Sequence, residues 1–238
     1  MSSVGDGIKS DARSSREEAD ITPGEFDLRT LPSLLGKNDP VILEIGCNDG
    51  AHTLNFLRLF GDATIYAFEP DPRARARFAA AVQDPRVKLF DIAISDTDGE
   101  IDFHMSGGAP SPEVAAQLPA GWDLSGSIRK PTGHIEMFPW CTFDQQIKVQ
   151  TLTLDTWCKN QGIAAIDFIW ADVQGAEGDM VRGARHALGN TRFLYTEYSD
   201  RELYAGQLSL RSLLALLPDF TVLNRFSEDV LLENTRDR

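Results

Sequence analysis

The sequence predicts an α/β fold organised around a parallel sheet. Three observations carry this expectation. Short, almost wholly apolar runs at 41–45, 63–68, 87–90 and 165–171 suit strands buried on both faces. Segments with helical spacing at 51–60 and 72–83 separate the first three runs, so strand and helix alternate. A turn containing Gly46 and Gly50 joins the first run to the first helical segment, and glycine lets the backbone turn sharply there and lets a ligand approach it.

The chain has 238 residues, enough for one large domain or two small ones and for a core without disulfides. Its 42% hydrophobic and 25% charged residues are ordinary globular composition. A formal charge of −13 argues against electrostatic binding to nucleic acid or to an anionic membrane. No apolar run approaches the ~20 residues of a membrane span, and the N-terminus shows no signal-peptide pattern. Cys47, Cys141 and Cys158 are odd in number and lack metal-ligand spacing, so a reducing cytoplasm is the expected location. Residues 1–24 are rich in Ser, Asp, Glu, Arg and Gly. They cannot bury enough surface to offset their ordering entropy. The expectation is a flexible tail, with a short helix at 16–19, ahead of a single domain over 25–238.

The elements follow in order. Pro72 opens the Ala/Arg-rich helix over 72–83, as proline suits a first turn. Asp98-Gly99 signals a turn, and Ile101, Phe103 and Met105 alternate after it, which predicts an extra strand or hairpin. Residues 106–140 are irregular and rich in Gly, Pro and Ser; so long an insertion in a compact domain is usually functional. A strand at 149–154, a helix at 155–161 and the buried strand at 165–171 come next. One helix is expected over 177–188, a strand over 192–197, a Leu-rich helix over 208–217, and closing strands over 220–226 and 230–233.

The first candidate site is Glu44-Ile45-Gly46-Cys47-Asn48-Asp49-Gly50. A dinucleotide turn reads G-x-G-x-x-G and aims a helix N-terminus at a pyrophosphate. Here Asn48 takes the middle glycine's place and Glu44 precedes the turn. A carboxylate and a polar side chain favour a ligand bearing hydroxyls or an ammonium, so Glu44, Gly46, Asn48 and Gly50 are cofactor-binding candidates. Glu69 ends the second strand about 20 residues on, where an acid commonly accepts ribose hydroxyls. Asp71 is free to cap the next helix. Asp91 and Ile92 end the third strand, as candidates for an adenine amino group and the face of its ring.

Together these residues resemble the class I S-adenosylmethionine-dependent methyltransferases. The second half resembles the FkbM-like methyltransferases in particular, through Thr153-Leu154-Asp155 and through Asp172-Val173-Gln174-Gly175-Ala176-Glu177 followed by Val181-Arg182-Gly183-Ala184. The resemblance runs from about 41 to 233. It implies a Rossmann-like, seven-stranded, mostly parallel sheet with helices on both faces and a final antiparallel strand. It also implies S-adenosylmethionine as cofactor and a hydroxyl of a sugar, glycan or secondary metabolite as acceptor. Two residues depart from the pattern: Trp170 stands where Lys is common, and Gln174 where Glu is common. Trp170 reads as core.

Methyl transfer to a neutral hydroxyl needs alignment and removal of a proton. Asp172 and Glu197 lie at the ends of the fourth and fifth main strands and are the catalytic candidates, with Asp172 also able to hold the cofactor's ammonium. By analogy with related sugar methyltransferases, the two can hold Mg²⁺. His134, in the irregular insertion near Arg129 and Lys130, is the alternative base, and Ser125-Gly126-Ser127 can reach the site if the insertion closes. His52 reads as exposed and Glu177 as structural. Two competing readings are an NAD-linked oxidoreductase, which the absent middle glycine opposes, and a non-catalytic nucleotide-binding module.

Overall fold

The computed structural model describes residues 20–118 and 120–236; the helix expected at 16–19 lies outside the described residues. The chain runs through α1 (Leu31–Leu35), β1 (Val41–Ile45), α2 (Ala51–Leu59), β2 (Thr64–Phe68), α3 (Pro72–Ala81), β3 (Val87–Phe90), β4 (Ile92–Ile94) and β5 (Gly99–Gly108). It continues through α4 (Pro112–Gln117), α5 (Gly133–Met137), β6 (Cys141–Leu152), α6 (Leu154–Gln161), β7 (Ile166–Ala171), α7 (Glu177–Arg182) and α8 (Arg185–Gly189). It closes with β8 (Thr191–Glu197), α9 (Leu210–Ala215), β9 (Phe220–Arg225) and β10 (Asp229–Asn234).

Seven strands form one sheet in the order β3-β2-β1-β7-β8-β10-β9. The first five in that order are parallel. The last strand in sequence, β10, runs antiparallel to both β8 and β9. The apolar runs explain the centre: β7 is buried throughout, and β1 and β2 at every position but the first. Successive residues point to opposite faces, so Leu43, Ile45 and Ile169 join Trp157 and Met180 in one core. Ile42 and Phe168 join Phe56, Phe60 and Leu31 in the other.

A three-stranded sheet, β4-β6-β5, stands beside the first. The sequence suggests a strand only from 149, but β6 starts at Cys141 and pairs with β5 from Gly99↔Thr151 to Gly108↔Cys141. One face of β6 is solvated: Gln146, Lys148 and Gln150 alternate on it. That polarity, beside a Gly/Pro-rich stretch, hides the strand from a hydrophobicity reading. The insertion before it carries the short helices α4 and α5.

The helix expected over 177–188 is two helices. At Gly183 the chain passes so close to Ser95 that a Cβ would lie 2.0 Å from its carbonyl oxygen. The Asp155 carboxylate then accepts from the backbone N–H groups of His186 and Ala187 at 3.0 and 2.8 Å, which caps the start of α8. At the N-terminal side, Ile21 forms a parallel bridge to Arg225, within the stretch expected as tail. Phe26 packs on Tyr195, with ring centroids 5.4 Å apart. Among the described residues no helix is long and apolar enough to cross a membrane.

Gly183→Ala must push Ser95 and α7 apart, and overpacking of this kind costs ~1–3 kcal/mol. Urea denaturation is expected to show that loss; an unchanged midpoint would mean the two segments separate freely.

Candidate active site

The sheet reverses its winding between β1 and β7, and open α/β sheets bind ligands at the strand ends flanking such a point. Here the two strand ends touch. The Asp172 N–H donates to the Ile45 carbonyl at 2.9 Å. Gly46 has φ +86°, and a Cβ on it would fall 1.8 Å from the Asp172 carbonyl oxygen. The next link is to β2: the Gly46 and Cys47 N–H groups both donate to the Phe68 carbonyl, at 2.9 and 3.0 Å. The turn then brings the Asn48 N–H to the Glu69 carboxylate at 2.9 Å, and the Asp71 N–H reaches the same group at 2.7 Å. Burial pushes Glu69 up to about 7. Asp71 caps α3 by accepting from the Arg73 N–H at 2.8 Å.

Above this floor lies a cavity of about 620 Å³, counting its open mouth. Gly46, Asn48, Glu69 and Asp172 line its polar side, and Phe68, Ile92, Ile94 and Phe103 its apolar side. The insertion roofs it through Asp123, Leu124, Gly126, Ser127 and Ile128. The roof is fastened at several points. Arg77 donates to both Asp123 oxygens, at 2.5 and 3.0 Å, and to the Asn48 side chain at 3.0 Å. The Ser127 hydroxyl donates to the Gln174 carbonyl at 2.7 Å. Arg129 pairs with Asp179.

Asp172 also faces a second cavity of about 940 Å³, again counting its mouth. Trp170 and Tyr195 form an aromatic wall there, stacked with centroids 4.3 Å apart and planes 28° apart. The His52 ring lies 4.3 Å from Trp170. Trp170 is therefore both core and cavity wall. His52 is exposed as expected, yet it lines this cavity. Its place at the first turn after the glycine turn is the sequence signal that could have found it. Glu197 lies beside Asp172. The Gln174 side-chain N–H₂ bridges the two carboxylates, at 2.7 Å from Asp172 and 3.0 Å from Glu197. Its other end accepts from the Tyr204 hydroxyl at 3.0 Å. Gln174 holds this bridge from a left-handed backbone, φ +50°, an uncommon conformation for a non-glycine residue. Burial raises Asp172, and burial together with the Asp172 charge raises Glu197 further. Two carboxyls this close oppose each other's ionisation.

Four of the expected site residues line neither cavity. Glu44 lines neither cavity: its buried carboxyl accepts from the Thr53 hydroxyl beneath the turn, and burial pushes it up to about 8. Gly50 packs against the last turn of α3, since a Cβ there would lie 2.6 Å from Val82 and 2.9 Å from Phe78. Asp91 is exposed, because side chains alternate at the end of β3 and Ile92 is the one that turns into the cavity. His134 is buried in α5 against the rings of Phe138, Phe143 and Tyr204, outside both cavities. Its apolar surroundings, not a substrate, explain its lowered pKa.

An antiparallel last strand between β8 and β9, with a nucleoside-sized cavity at the reversal between β1 and β7, is the arrangement of class I S-adenosylmethionine-dependent methyltransferases. The chain belongs to the methyltransferase FkbM domain family, whose model matches residues 44–229. It is 50% identical over 213 residues to the 2-O-methyltransferase NoeI of Sinorhizobium fredii (strain NBRC 101917 / NGR234), covering 87% of this chain and 85% of that protein. Distant likenesses extend to two solved structures. Aeropyrum pernix fibrillarin with natively bound S-adenosyl-L-methionine has TM-score 0.41 and 16% identity, over 87% of this chain and 70% of that one. A Streptococcus thermophilus rRNA methylase has TM-score 0.44 and 12% identity, over 88% and 97%. The protein is therefore an S-adenosylmethionine-dependent O-methyltransferase, and the oxidoreductase and non-catalytic readings fall.

Glu44 keeps its proton in the folded chain to about pH 8, against an ordinary value of 4.5. The unfolded chain ionises first, so stability falls as pH rises between those values. Glu69 and Glu177, both raised to about 7, add to the same trend. Glu44→Gln keeps an acceptor for Thr53 and is expected to flatten the fall. Melting temperatures across about pH 5–9 at constant ionic strength test this; an equal slope in the variant would contradict it.

Proposed function

We propose that the chain methylates a hydroxyl of a sugar ring, with Asp172 as the group that takes the hydroxyl proton. The observation that carries this is the position of Asp172, which lines both cavities. The first cavity fits S-adenosylmethionine. Glu69 has lone pairs left for ribose hydroxyls beyond its two backbone donors, and Ile92, Ile94 and Phe103 offer an apolar slot for a base. When bound, the cofactor supplies an electrophilic methyl on a positively charged sulfur that leaves as a neutral thioether.

The chain's own residues do the rest. Asp172, half-buried and with its pKa raised, is a stronger base than an exposed carboxylate. Glu197, holding its proton, hydrogen-bonds Asp172 and fixes it in place. Gln174 braces both. The roof over 123–128 excludes water from the cofactor. In the second cavity, the Trp170–Tyr195 wall suits the apolar face of a ring, and Asn55, Glu197 and Asp229 suit its hydroxyls. The name of the Sinorhizobium relative agrees with an oxygen acceptor.

Magnesium is given no step. The Gln174 N–H₂ occupies the place between the two carboxylates that a shared cation needs. Among the described residues, no group of three His, Cys, Asp or Glu is gathered to hold one. The three cysteines are free and buried, which suits the cytoplasmic location proposed here.

Calorimetric titration with S-adenosylmethionine and S-adenosylhomocysteine, with NADH as control, is expected to show binding of the first two only. Glu69→Ala removes charge-assisted hydrogen bonds worth ~1.5–3 kcal/mol each and should weaken that binding at least tenfold, while Asp91→Ala leaves it unchanged. The opposite pattern would place the ribose at β3. Asp172→Asn is expected to lower kcat by ~10²–10⁴. Glu197→Gln, which mimics the protonated acid, should cost less and shift the acidic limb of the pH profile. That limb should lie above the ordinary aspartate value of 3.8, because activity requires Asp172 ionised. A kcat unaffected by Asp172→Asn, or a loss of activity when EDTA replaces Mg²⁺, would overturn the mechanism.

A further inference from the structure

The charge of the second cavity says more about the acceptor than its shape does. Five acidic side chains line it, Glu25, Asp27, Asp172, Glu197 and Asp229, and all but Glu197 are counted as charges here. No lysine or arginine is among its lining residues. Asp27 has a cation of its own, the exposed Arg29 at 2.8 Å. The one imidazole, His52, is kept towards its neutral form by the loss of water from the side of its ring that faces Trp170, against the charges of Asp172, Asp49 and Glu25. The acids also repel one another. Asp229 is pushed up to about 6 by burial and by the charges of Asp172, Glu228 and Glu25. Asp172 is shared with the cofactor cavity, where the sulfonium offsets it.

A phosphate or pyrophosphate in this cavity would meet like charge on several sides and no donor of the kind that binds it. A ring carrying only hydroxyls meets acceptors it can donate to and an aromatic wall it can lie on. Building on the sugar reading above, we infer that the acceptor is a phosphate-free glycoside, the sugar having already been transferred from its nucleotide carrier. The reaction that supplies this substrate is then a glycosyl transfer, with release of the nucleoside diphosphate, and methylation follows it.

The test uses the full chain loaded with S-adenosylhomocysteine at low ionic strength. Saturation-transfer NMR compares methyl glycosides of hexoses and 6-deoxyhexoses with nucleoside-diphosphate forms of the same sugars. Transfer of labelled methyl from S-adenosylmethionine is followed in parallel. Glycosides are expected to bind at least ~10-fold more tightly than their nucleotide partners, and Glu25→Gln to narrow that gap about threefold through loss of one repelling charge. Added salt should narrow it too. Equal or tighter binding of the nucleotide sugars overturns the inference, as does a gap that neither Glu25→Gln nor salt changes. Glycosides that bind but accept no methyl group overturn the transfer reading and leave the charge selection standing. Binding of neither set overturns both.

Discussion

The contact between the ends of β1 and β7 sets the terms for everything around it. At Gly46 there is room for a hydrogen and not for a methyl group, because the Asp172 carbonyl would lie 1.8 Å from any Cβ. The same closeness explains why Asp172 sits at the floor of one cavity and the wall of another. The turn that leaves β1 has to be left-handed at Gly46, and its next N–H groups point to β2. One of them finds Glu69. A steric constraint between two backbones thus fixes the positions of both carboxylates, Glu69 at the end of β2 and Asp172 at the end of β7.

The site also gathers several acids whose surroundings oppose ionisation. Glu44, Glu69, Asp172, Glu177 and Glu197 all have pKa values raised by burial. Ionised carboxylates this deep would be costly without partners. The structure handles them in two ways. Some hold protons and act as neutral hydrogen-bonding groups, as Glu44 does with Thr53. Others lie where a positively charged ligand can face them. A fold that binds a cation and releases a neutral product has reason to keep its electrostatic strain at that point.

The central sheet was legible because its signals are local. The runs at β1, β2, β3 and β7 are apolar enough to identify each as a buried strand, and Gly46 and Glu69 mark the strand ends by their spacing. Other features depend on contacts distant in sequence. The break at Gly183 follows from the passage of Ser95 and from Asp155 reaching across to α8. The length of β6 follows from its pairing with β5. Asp91 and Ile92 differ by one residue, and only the turn at the end of β3 decides which faces the cavity. His134 looks catalytic by residue type, but it lies inside an aromatic cluster assembled from three segments. The second cavity escaped the sequence reading altogether, since Glu25, His52, Trp170 and Asp229 are brought together only by the sheet.

The ribbon of β5 and β6 has a consequence for how this enzyme can change over evolutionary time. Gly108 lies opposite Cys141 on adjacent strands, so the excursion that roofs the first cavity leaves and rejoins the ribbon at a single rung. Its two ends are already held together, and the entropic cost of a closed loop grows only slowly with its length. Residues can therefore be added to or removed from the roof with little penalty to the sheet below. Variation in the cover and constancy in the floor are separable properties of the molecule.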